Sequence, residues 1–266
     1  MQKIRPAFKC HGGKFYLSRW IISQIPAGYS DLSYVEPFCG GASVLLNKQR
    51  SAFEAINDLD PAVYDLYTAL RDTPEPFAHG LHAHDYTEKT FRRAQERADR
   101  CEAGLDRATN EYILRRMSRG GLRTAFAWSE RLRGGKPGDV NAWETALANL
   151  PVLSERLQGV DILNRPAVEI VRRFDGPDAF FYCDPPYLPA TRVSRSAYAF
   201  EMTADDHCEL AGVLNGCRGR VLVSGYPSPL YDRLYRHWNR ATKEIANHAS
   251  QKAVKEVKQE VVWMNY

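Results

Sequence analysis

The feature that most constrains the fold of this chain is an alternation along the sequence. Short apolar runs are followed by loops marked by glycine or proline, and these loops are followed by helical patterns. Residues 33–38 (SYVEPF) predict a buried strand that runs into a glycine pair, and residues 52–58 (AFEAIND) predict a second strand. Helical patterns follow at 43–48 and at 60–72, the latter with a proline in its first turn. Strand–loop–helix repeats predict a parallel sheet with right-handed crossovers, and therefore an α/β fold.

The alternation stops after residue 73 and resumes near residue 158. Residues 74–157 show helical patterns and loops but no convincing strand, and a stretch of this length exceeds a plain connection. The other predicted elements are a first helix over 14–25, strands over 160–164, 179–184 and 220–226, helices over 166–174, 203–214 and 228–235, and a closing antiparallel hairpin of 243–247 and 257–265. The sequence thus predicts a sheet domain of residues 1–73 and 158–266 that carries a mainly helical insert of residues 74–157.

The composition is that of an ordinary soluble globular protein, with 44% hydrophobic and 26% charged residues among 266. No run approaches the ~20 apolar residues that span a bilayer, and the first residues lack the apolar stretch of a secretory signal. We therefore expect a cytoplasmic protein without membrane association. Six cysteines, none in CxxC spacing, favour reduced thiols over a disulfide framework or a zinc knuckle. The formal charge of +4 permits a polyanionic partner without identifying one.

A glycine turn follows the first predicted strand, at residues 36–41 (EPFCGG). In a doubly wound sheet such a turn lies where ligands cross the strand ends, and glycine allows the backbone to approach them closely. The turn lacks the G-x-G-x-x-G pattern, which disfavours NAD or FAD. Asp58 ends the next strand, where a carboxylate accepts both hydroxyls of a ribose. A nucleoside without pyrophosphate indicates S-adenosylmethionine; a plain turn at Gly40 and a helix cap at Asp58 are the alternatives.

The strongest motif is Asp184-Pro185-Pro186-Tyr187, which directly follows the apolar run 179–183. A central parallel strand delivers Asp184 to the carboxyl edge of the sheet, and the prolines fix the backbone there. We interpret this rigid corner as a binding site for an exocyclic amino group. The Asp184 carboxylate and the Pro185 carbonyl each accept an N–H, and Tyr187 stacks on the ring. A rigid turn with Asp184 as a helix cap is the structural alternative.

A binding site of this kind suits methyl transfer to adenine N6. This nitrogen is a poor nucleophile because its lone pair is delocalised into the purine. Two acceptors on its hydrogens favour a pyramidal nitrogen whose lone pair faces a sulfonium methyl group. Positioning and electrostatics supply the main contributions, and no covalent intermediate is needed. The base has to leave its stack to reach the corner, which is base flipping.

Four motifs follow one another along the chain: HGGK (11–14), EPFCGG (36–41), IND (56–58) and DPPY (184–187). With these motifs the chain resembles the Dam-type, D12-class adenine-N6 DNA methyltransferases over nearly its whole length, in the family's α order. The resemblance implies a Rossmann-like S-adenosylmethionine-dependent methyltransferase fold with a mixed, mainly parallel sheet, in which residues 74–157 form the target-recognition domain. It also implies double-stranded DNA as partner, no metal, a monomer or weak dimer, and a prokaryotic or phage-infected cell as the setting.

The resemblance also assigns cofactor residues. Those implied to contact S-adenosylmethionine or to wall its pocket are Cys10, Lys14, Glu36, Phe38, Gly40, Asp58 and Asp184. Cys10 is a departure, because the family often has an aromatic residue there that packs near the cofactor. Either a smaller side chain is accepted at this position, or a neighbour such as Phe8 substitutes for the aromatic ring.

The insert contains a strongly basic segment, residues 111–136, in which seven cations and two acids give a net charge of +5. Aromatic residues interleave with the cations, and two glycine pairs mark turns. Arginine-rich loops of this kind suit phosphate contacts and groove readout, although many such arginines only solvate helix faces. The predicted DNA-contacting residues are Arg116, Arg119, Arg123, Arg131 and Arg133.

The recognition sequence is left open. Arg116 and residues 121–122 fit the family's recognition segment, but the sequence lacks the asparagine-rich hairpin and Pro-Phe-Gly-Arg run of the Dam subset, so GATC specificity is not transferred. The alternatives in function are transfer to cytosine N4 or an RNA base, and a catalytically silent DNA-binding relative. The sequence also leaves open whether a restriction enzyme accompanies the protein. A histidine cluster at 79, 82 and 84 fits a solvated helix end better than a metal site.

Overall fold

The computed structural model describes residues 3–10, 12–191, 199–246 and 257–266. The chain divides into two compact units. The first unit comprises Met1–Ile22, Cys39–Gln49 and Asp58–Asn164. The second unit comprises Ser23–Phe38, Arg50–Asn57 and Arg165–Tyr266. The predicted boundaries of the insert, 74–157, stay a prediction.

Helices and strands alternate on both sides of a mainly helical middle. The helices are α1 (Ser18–Gln24), α2 (Pro61–Asp72), α3 (Pro74–His82), α4 (Glu88–Arg97), α5 (Leu105–Met117), α6 (Gly138–Ala148), α7 (Leu150–Leu157), α8 (Ala167–Phe174), α9 (Ala204–Asn215) and α10 (Pro229–Leu234). The strands are β1 (Ser33–Glu36), β2 (Phe53–Asn57), β3 (Leu132–Arg133), β4 (Lys136–Pro137), β5 (Val160–Leu163), β6 (Ala179–Cys183), β7 (Arg220–Gly225), β8 (Asn239–Ala246) and β9 (Val257–Met264). Within the described residues, no helix combines the length and apolarity needed to cross a membrane.

The first unit is built around helices α2 and α5. Helix α2 begins after Asp60, whose side chain accepts the backbone N–H of Ala62 at 2.9 Å and so satisfies one free donor of the first turn. The core of this unit is aromatic, because the ring of Tyr112 in α5 packs edge-on against Phe77 at 5.7 Å and against Trp143 at 5.7 Å. The helices predicted for this region are therefore amphipathic, and their apolar faces pack against one another.

The prediction that residues 74–157 contain no strand is wrong at one place. Strands β3 and β4 form an antiparallel pair in which Leu132 lies opposite Pro137. Gly134 and Gly135 connect them, with φ angles of 59° and 79°, the left-handed values that a two-residue hairpin requires. Two-residue strands are too short to produce a period-two pattern, so only the glycine pair signals this hairpin in the sequence.

Six strands of the second unit form a sheet in the order β2-β1-β6-β7-β9-β8. Strand β5 belongs to the first unit. Strands β2, β1, β6 and β7 are parallel, whereas β9 is antiparallel to both β7 and β8. The predicted mixed, mainly parallel sheet and its closing antiparallel hairpin are thus confirmed.

Strand β6 is the apolar centre of the second unit, since all five of its residues are buried. It lies parallel to β1, with Val35 opposite Phe181, and parallel to β7, with Cys183 opposite Val223. Parallel neighbours end at the same edge of a sheet, so the residues that follow β1, β6 and β7 are brought together there.

Two predicted helices are shorter than expected. The helix predicted over 43–48 is a single 3₁₀ turn, Leu45–Asn47. The Asn47 amide donates to the carbonyl oxygens of Ser43 and Ile4, each at 2.9 Å, and this side-chain bonding replaces a continuing helix. The first helix begins at Ser18 instead of residue 14, after a turn in which the Leu17 N–H donates to the Lys14 carbonyl.

Replacement of Gly121 by alanine tests the close approach of two segments in the first unit. A Cβ at Gly121 would lie 2.0 Å from the backbone oxygen of Lys9, and the φ of 75° is itself unfavourable for alanine. Gly120 has a φ of 62° and no atom within 3.4 Å of such a Cβ, so Gly120→Ala is the matched control. We expect Gly121→Ala to lower the free energy of unfolding by about 1–3 kcal/mol more than Gly120→Ala, measured by urea denaturation. Equal losses would contradict the close approach.

Candidate active site

Residues 184–187 (DPPY), here called the acceptor corner, follow directly after β6. Asp184 is half-buried, and its Oδ1 accepts a hydrogen bond of 2.8 Å from the hydroxyl of Ser224 in β7. The phenol of Tyr182 lies 3.2 Å from the same hydroxyl. The Asp184 carboxylate is thus oriented by a fully buried serine on the neighbouring strand.

Tyr187 is the aromatic member of the acceptor corner and is 5% exposed. Its hydroxyl donates to the carboxylate of Glu260 in β9. Its ring meets the edge of Tyr226 at a centroid distance of 4.7 Å and an angle of 72°. Beside these rings lies a small, shallow pocket lined by Tyr187, Leu188, Thr191, Gly225, Tyr226 and Tyr231. The acceptor corner therefore presents an aromatic wall next to a carboxylate.

Carboxylates shape the electrostatics around this corner. Burial raises the pKa of Tyr187 well above its ordinary value, and the negative charges of Asp184 and Glu260 raise it further. Burial also raises the pKa of Tyr182, chiefly with the charge of Asp184. Both phenols stay protonated near neutral pH. Tyr187 donates to Glu260, and Tyr182 lies within hydrogen-bond distance of Ser224, which is the donor to Asp184. Neutral hydroxyl groups therefore adjoin both carboxylates of the corner.

Glu36 and Phe38 lie at the end of β1, which is the parallel neighbour of β6. Glu36 is 1% exposed, and its carboxylate accepts a hydrogen bond of 2.7 Å from the Tyr34 hydroxyl. Phe38 is half-buried in the turn that follows. Because β1 and β6 run in the same direction, Glu36 and Asp184 lie at the same edge of the sheet.

In the first unit, Gly40 and Asp58 are in direct contact. The Gly40 N–H donates to Asp58 Oδ2 at 2.9 Å, and the Asp60 N–H donates to Oδ1 at 3.0 Å. Burial raises the pKa of Asp58 to about 6, although these two N–H groups favour the charged form. The backbone at Gly40 has a φ of 45°, and its carbonyl accepts from the Tyr67 hydroxyl at 2.9 Å. The glycine turn and the carboxylate therefore form one hydrogen-bonded unit.

Cys10 and Lys14 also belong to the first unit. A Cβ on Gly40 would lie 3.3 Å from the Cys10 thiol, so this cysteine borders the glycine turn. Lys14 is buried, and its ammonium group donates to the Gly12 carbonyl at 2.8 Å. Phe8 packs against Tyr67 with a ring distance of 5.9 Å. His11 of the HGGK motif lies outside the described residues.

Three cations of segment 111–136 form ion pairs with acids of the protein. Arg115 bridges two buried acids, because one of its nitrogens donates to Glu111 and another lies 3.0 Å from Asp60. Arg123 pairs with the same Glu111 at 3.2 Å. Lys136 pairs with Glu144 at 2.7 Å. These charges balance acids of the first unit.

The five arginines predicted to contact DNA differ in their surroundings. Arg116 donates to the backbone carbonyls of Pro6 and Ala7, at 2.8 and 2.7 Å. Arg123 has a φ of 63° and the ion pair with Glu111 described above. Arg119 follows α5 and Arg131 precedes β3, and both are exposed; Arg133 lies in β3. Whether any of the five reaches DNA stays a prediction.

Sequence reasoning missed three partners of these sites: Glu260, Tyr182 and Asp60. The signal for Glu260 is an acid inside the apolar run of β9, since a carboxylate at a core position needs a bonding partner. Among the described residues no group of three or more histidine, cysteine, aspartate or glutamate side chains is arranged to hold a metal ion.

The acceptor corner offers a carboxylate and a tyrosine ring side by side, and this geometry alone does not identify a substrate. The comparison with protein families identifies the class of protein. The chain belongs to the D12 class of N6 adenine-specific DNA methyltransferases, whose family model matches residues 11–257. The resemblance found in the four sequence motifs is thereby confirmed.

Curated relatives agree with this assignment. The chain is 26% identical over 255 residues to the DNA adenine methylase of Vibrio cholerae serotype O1 (strain O395), covering 89% of this chain and 86% of the relative. It is 25% identical over 257 residues to the type II methyltransferase M1.LlaDCHI of Lactococcus lactis subsp. cremoris, with the same coverage of 89% and 86%. Among solved structures, the rRNA methyltransferase aviRa of Streptomyces viridochromogenes matches with a TM-score of 0.42 and 13% identity, covering 94% of this chain and 83% of that one.

The chain is therefore a DNA adenine methyltransferase that takes its methyl group from S-adenosylmethionine. Its sheet is that of the Rossmann-like methyltransferase fold, as predicted. The family description names adenine N6, which argues against the cytosine N4 and RNA alternatives.

Replacement of Arg115 by methionine tests the ion cluster in the first unit. The change leaves Glu111 and Asp60, both largely buried, without this cation. We expect a loss of about 3–5 kcal/mol in the free energy of unfolding, measured by urea denaturation at pH 7. Arg97 pairs with Asp106 at 2.7 Å on the surface of the same unit, so Arg97→Met is the control, with a loss of about 0–1 kcal/mol. A loss at Arg115 no larger than that at Arg97 would contradict a structural role for the cluster.

Proposed function

We propose that this enzyme methylates N6 of an adenine that has been flipped out of double-stranded DNA, with Asp184, Pro185 and Tyr187 as the residues that touch the base. The observation that carries the proposal is the acceptor corner, a carboxylate oriented by Ser224 beside a buried tyrosine wall. We further propose that the protein acts as a monomer or weak dimer in the cytoplasm of a prokaryotic or phage-infected cell. The type II name of the Lactococcus relative favours a setting beside a restriction enzyme.

Asp184 and Pro185 would act on the amino group through its two hydrogens. The hydrogen bond from Ser224 occupies Asp184 Oδ1 and fixes the plane of the carboxylate, which presents the group as an oriented acceptor. The Pro185 carbonyl accepts the second N–H. With both hydrogens bound, the nitrogen lone pair is directed away from the ring. As the N–CH₃ bond formed, the S–CH₃ bond of the donor would break and leave a neutral thioether. Positive charge would then develop on the nitrogen, and the Asp184 carboxylate would stabilise it until one N–H proton is lost to water.

The residues proposed to hold S-adenosylmethionine, which supplies a sulfonium-bound methyl group, fit a nucleoside chemically. Asp58 is an oriented carboxylate that suits the two hydroxyls of a ribose, and the open backbone at Gly40 permits close approach. Lys14 and Cys10 lie in the segment that borders the same turn. Glu36 and Phe38 offer a carboxylate for an ammonium group and a ring for an apolar stem. These roles are carried over from the family motifs.

Target recognition is proposed for the insert, residues 74–157. Arg119 and Arg131 are exposed and suit contacts with phosphate oxygens, and Arg133 lies in the hairpin that joins them to α6. Arg116 and Arg123 complete the proposed DNA-contacting set. The contacts of Arg116 and Arg123 with the protein hold the loop 118–131 in one conformation. A loop held in this way would keep the exposed arginines at positions where they can contact phosphate groups of the duplex.

Replacement of Asp184 by asparagine tests the mechanism. The change keeps the shape of the side chain and removes its charge. We therefore expect transfer of tritiated methyl groups to adenine-containing DNA to fall by about 10²-fold or more, as when a preorganised electrostatic partner is lost. The control is Asp205→Asn, which neutralises an exposed acid in the first turn of α9. Digestion of the labelled DNA to nucleosides shows whether the product is N6-methyladenine. Full activity of Asp184→Asn would refute the assigned role.

The pH dependence of S-adenosylmethionine binding tests Asp58. Burial raises its pKa to about 6, so the free protein holds this proton up to that pH. Ribose hydroxyls donate to the charged form, and binding must therefore expel the proton below pH 6. We expect affinity measured by calorimetry to be constant above pH 7 and to fall by about tenfold for each pH unit below 6. Asp58→Asn should bind weakly and without this dependence. A steep dependence that persists in Asp58→Asn would assign the titration to another group.

A further inference from the structure

Glu260 is a buried carboxylate that the proposed mechanism does not use. It lies in β9, is 2% exposed, and precedes the core residues Val261 and Val262. Taking a carboxylate out of water is costly unless hydrogen bonds compensate for its lost hydration. The Tyr187 hydroxyl donates to this carboxylate and compensates for part of that cost.

The direction of this hydrogen bond is fixed. Burial, with the charges of Asp184 and Glu260, raises the pKa of Tyr187, and the phenol keeps its proton. Tyr187 is therefore the donor, and Glu260 is the acceptor. The two partners are 73 residues apart in the chain and come from the acceptor corner and the closing hairpin of the sheet.

The hydrogen bond restrains the far end of the Tyr187 ring. The near end of the ring is attached to a backbone that two prolines make rigid. Tyr226 meets one side of the ring edge-on at 4.7 Å, and the small pocket lies beside it. The two held ends fix the axis of the ring, and the contact with Tyr226 limits its rotation about that axis. The plane of the ring is thus set before any base arrives, which removes an ordering cost from binding.

We propose that Glu260 is a positioning residue of the methyltransferase, which acts through the Tyr187 hydroxyl to hold the tyrosine ring in the plane that stacks on the flipped adenine. This proposal rests on the proposed function, in which Tyr187 is the stacking residue. Glu260 itself touches neither the base nor the methyl donor. The carboxylate sets the orientation of the ring, and the ring sets the orientation of the base.

The experiment compares variants of the full-length protein that differ at the two partners. Single-molecule sequencing of DNA from cells expressing the wild type first identifies the methylated adenine and its surrounding sequence. A duplex of that sequence with 2-aminopurine at the target position then reports base flipping by its fluorescence. The variants are Glu260→Leu, Glu260→Gln, Tyr187→Phe and the double variant Tyr187→Phe/Glu260→Leu. Tyr266→Phe is the matched control, since it removes a tyrosine hydroxyl that donates to the Gln24 carbonyl in the same unit at 3.0 Å.

Single-turnover methyl transfer is measured well below the melting temperature of each variant, so that only folded protein is compared. We expect Glu260→Leu and Tyr187→Phe each to lower the rate roughly ten- to hundredfold and to reduce the 2-aminopurine signal. The double variant should be no slower than Tyr187→Phe, because the carboxylate acts only through the hydroxyl. Glu260→Gln keeps an acceptor oxygen and should recover much of the loss, while S-adenosylmethionine binding stays unchanged throughout.

Full transfer rates in folded Glu260→Leu and Glu260→Gln would overturn the proposal. So would losses at the two partners that multiply in the double variant, or a loss of the same size in Tyr266→Phe, because either result indicates a general loss of packing. If Glu260→Leu does not fold, Tyr187→Phe decides, because it removes the same hydrogen bond from the other partner, and a full transfer rate in this variant would overturn the proposal. A wild type that methylates no adenine would overturn the proposed function together with this proposal, and is distinguished by the sequencing step.

Discussion

The parallel pairing of β1, β6 and β7 is the constraint on which the site of the second unit depends. Apart from Ser33 and Arg220, which begin β1 and β7, the residues of the three strands are buried, so polar groups need bonding partners there and are most easily accepted where the strands end. Their common direction then gathers the polar groups that end them at one edge of the sheet. Glu36, Asp184 and Ser224 owe their proximity to this pairing alone, because they are far apart in the chain.

Hydroxyl groups donate to three acids of the second unit. Glu36 accepts from a tyrosine, Asp184 from a serine and Glu260 from a tyrosine. In the first unit, Arg115 pairs with the buried acids Glu111 and Asp60 and offsets their charge. A neutral donor satisfies a carboxylate oxygen and leaves the charge of the carboxylate in place. The role proposed for Asp184, which is to stabilise an amino group that becomes positive as it is methylated, depends on a charge of that kind.

Local sequence patterns were sufficient to predict the strands of the sheet, the glycine turn and the position of the acceptor corner, because each of these is encoded in a few consecutive residues. Contacts between distant segments were not accessible from the sequence. Arg115 meets an acid 55 residues away, and Tyr187 meets one 73 residues away. No spacing rule connects such pairs, and only the folded chain shows that these charges are internal.

The formal charge of the basic segment 111–136 does not show which of its cations are paired with acids of the protein. Its net charge of +5 is that of the sequence, but Arg115 and Arg123 are balanced by acids of the same unit, Asp60 among them from outside the segment. Arg116 donates hydrogen bonds to the backbone carbonyls of Pro6 and Ala7 and so links the segment to the start of the chain. Internal arginines of this kind hold the loop in shape, and exposed ones such as Arg119 and Arg131 carry its surface charge. Phosphate contacts position a protein and base contacts specify the sequence, and both require a loop of defined shape. The arginines that do not face solvent therefore help to shape the surface on which the proposed DNA contacts lie.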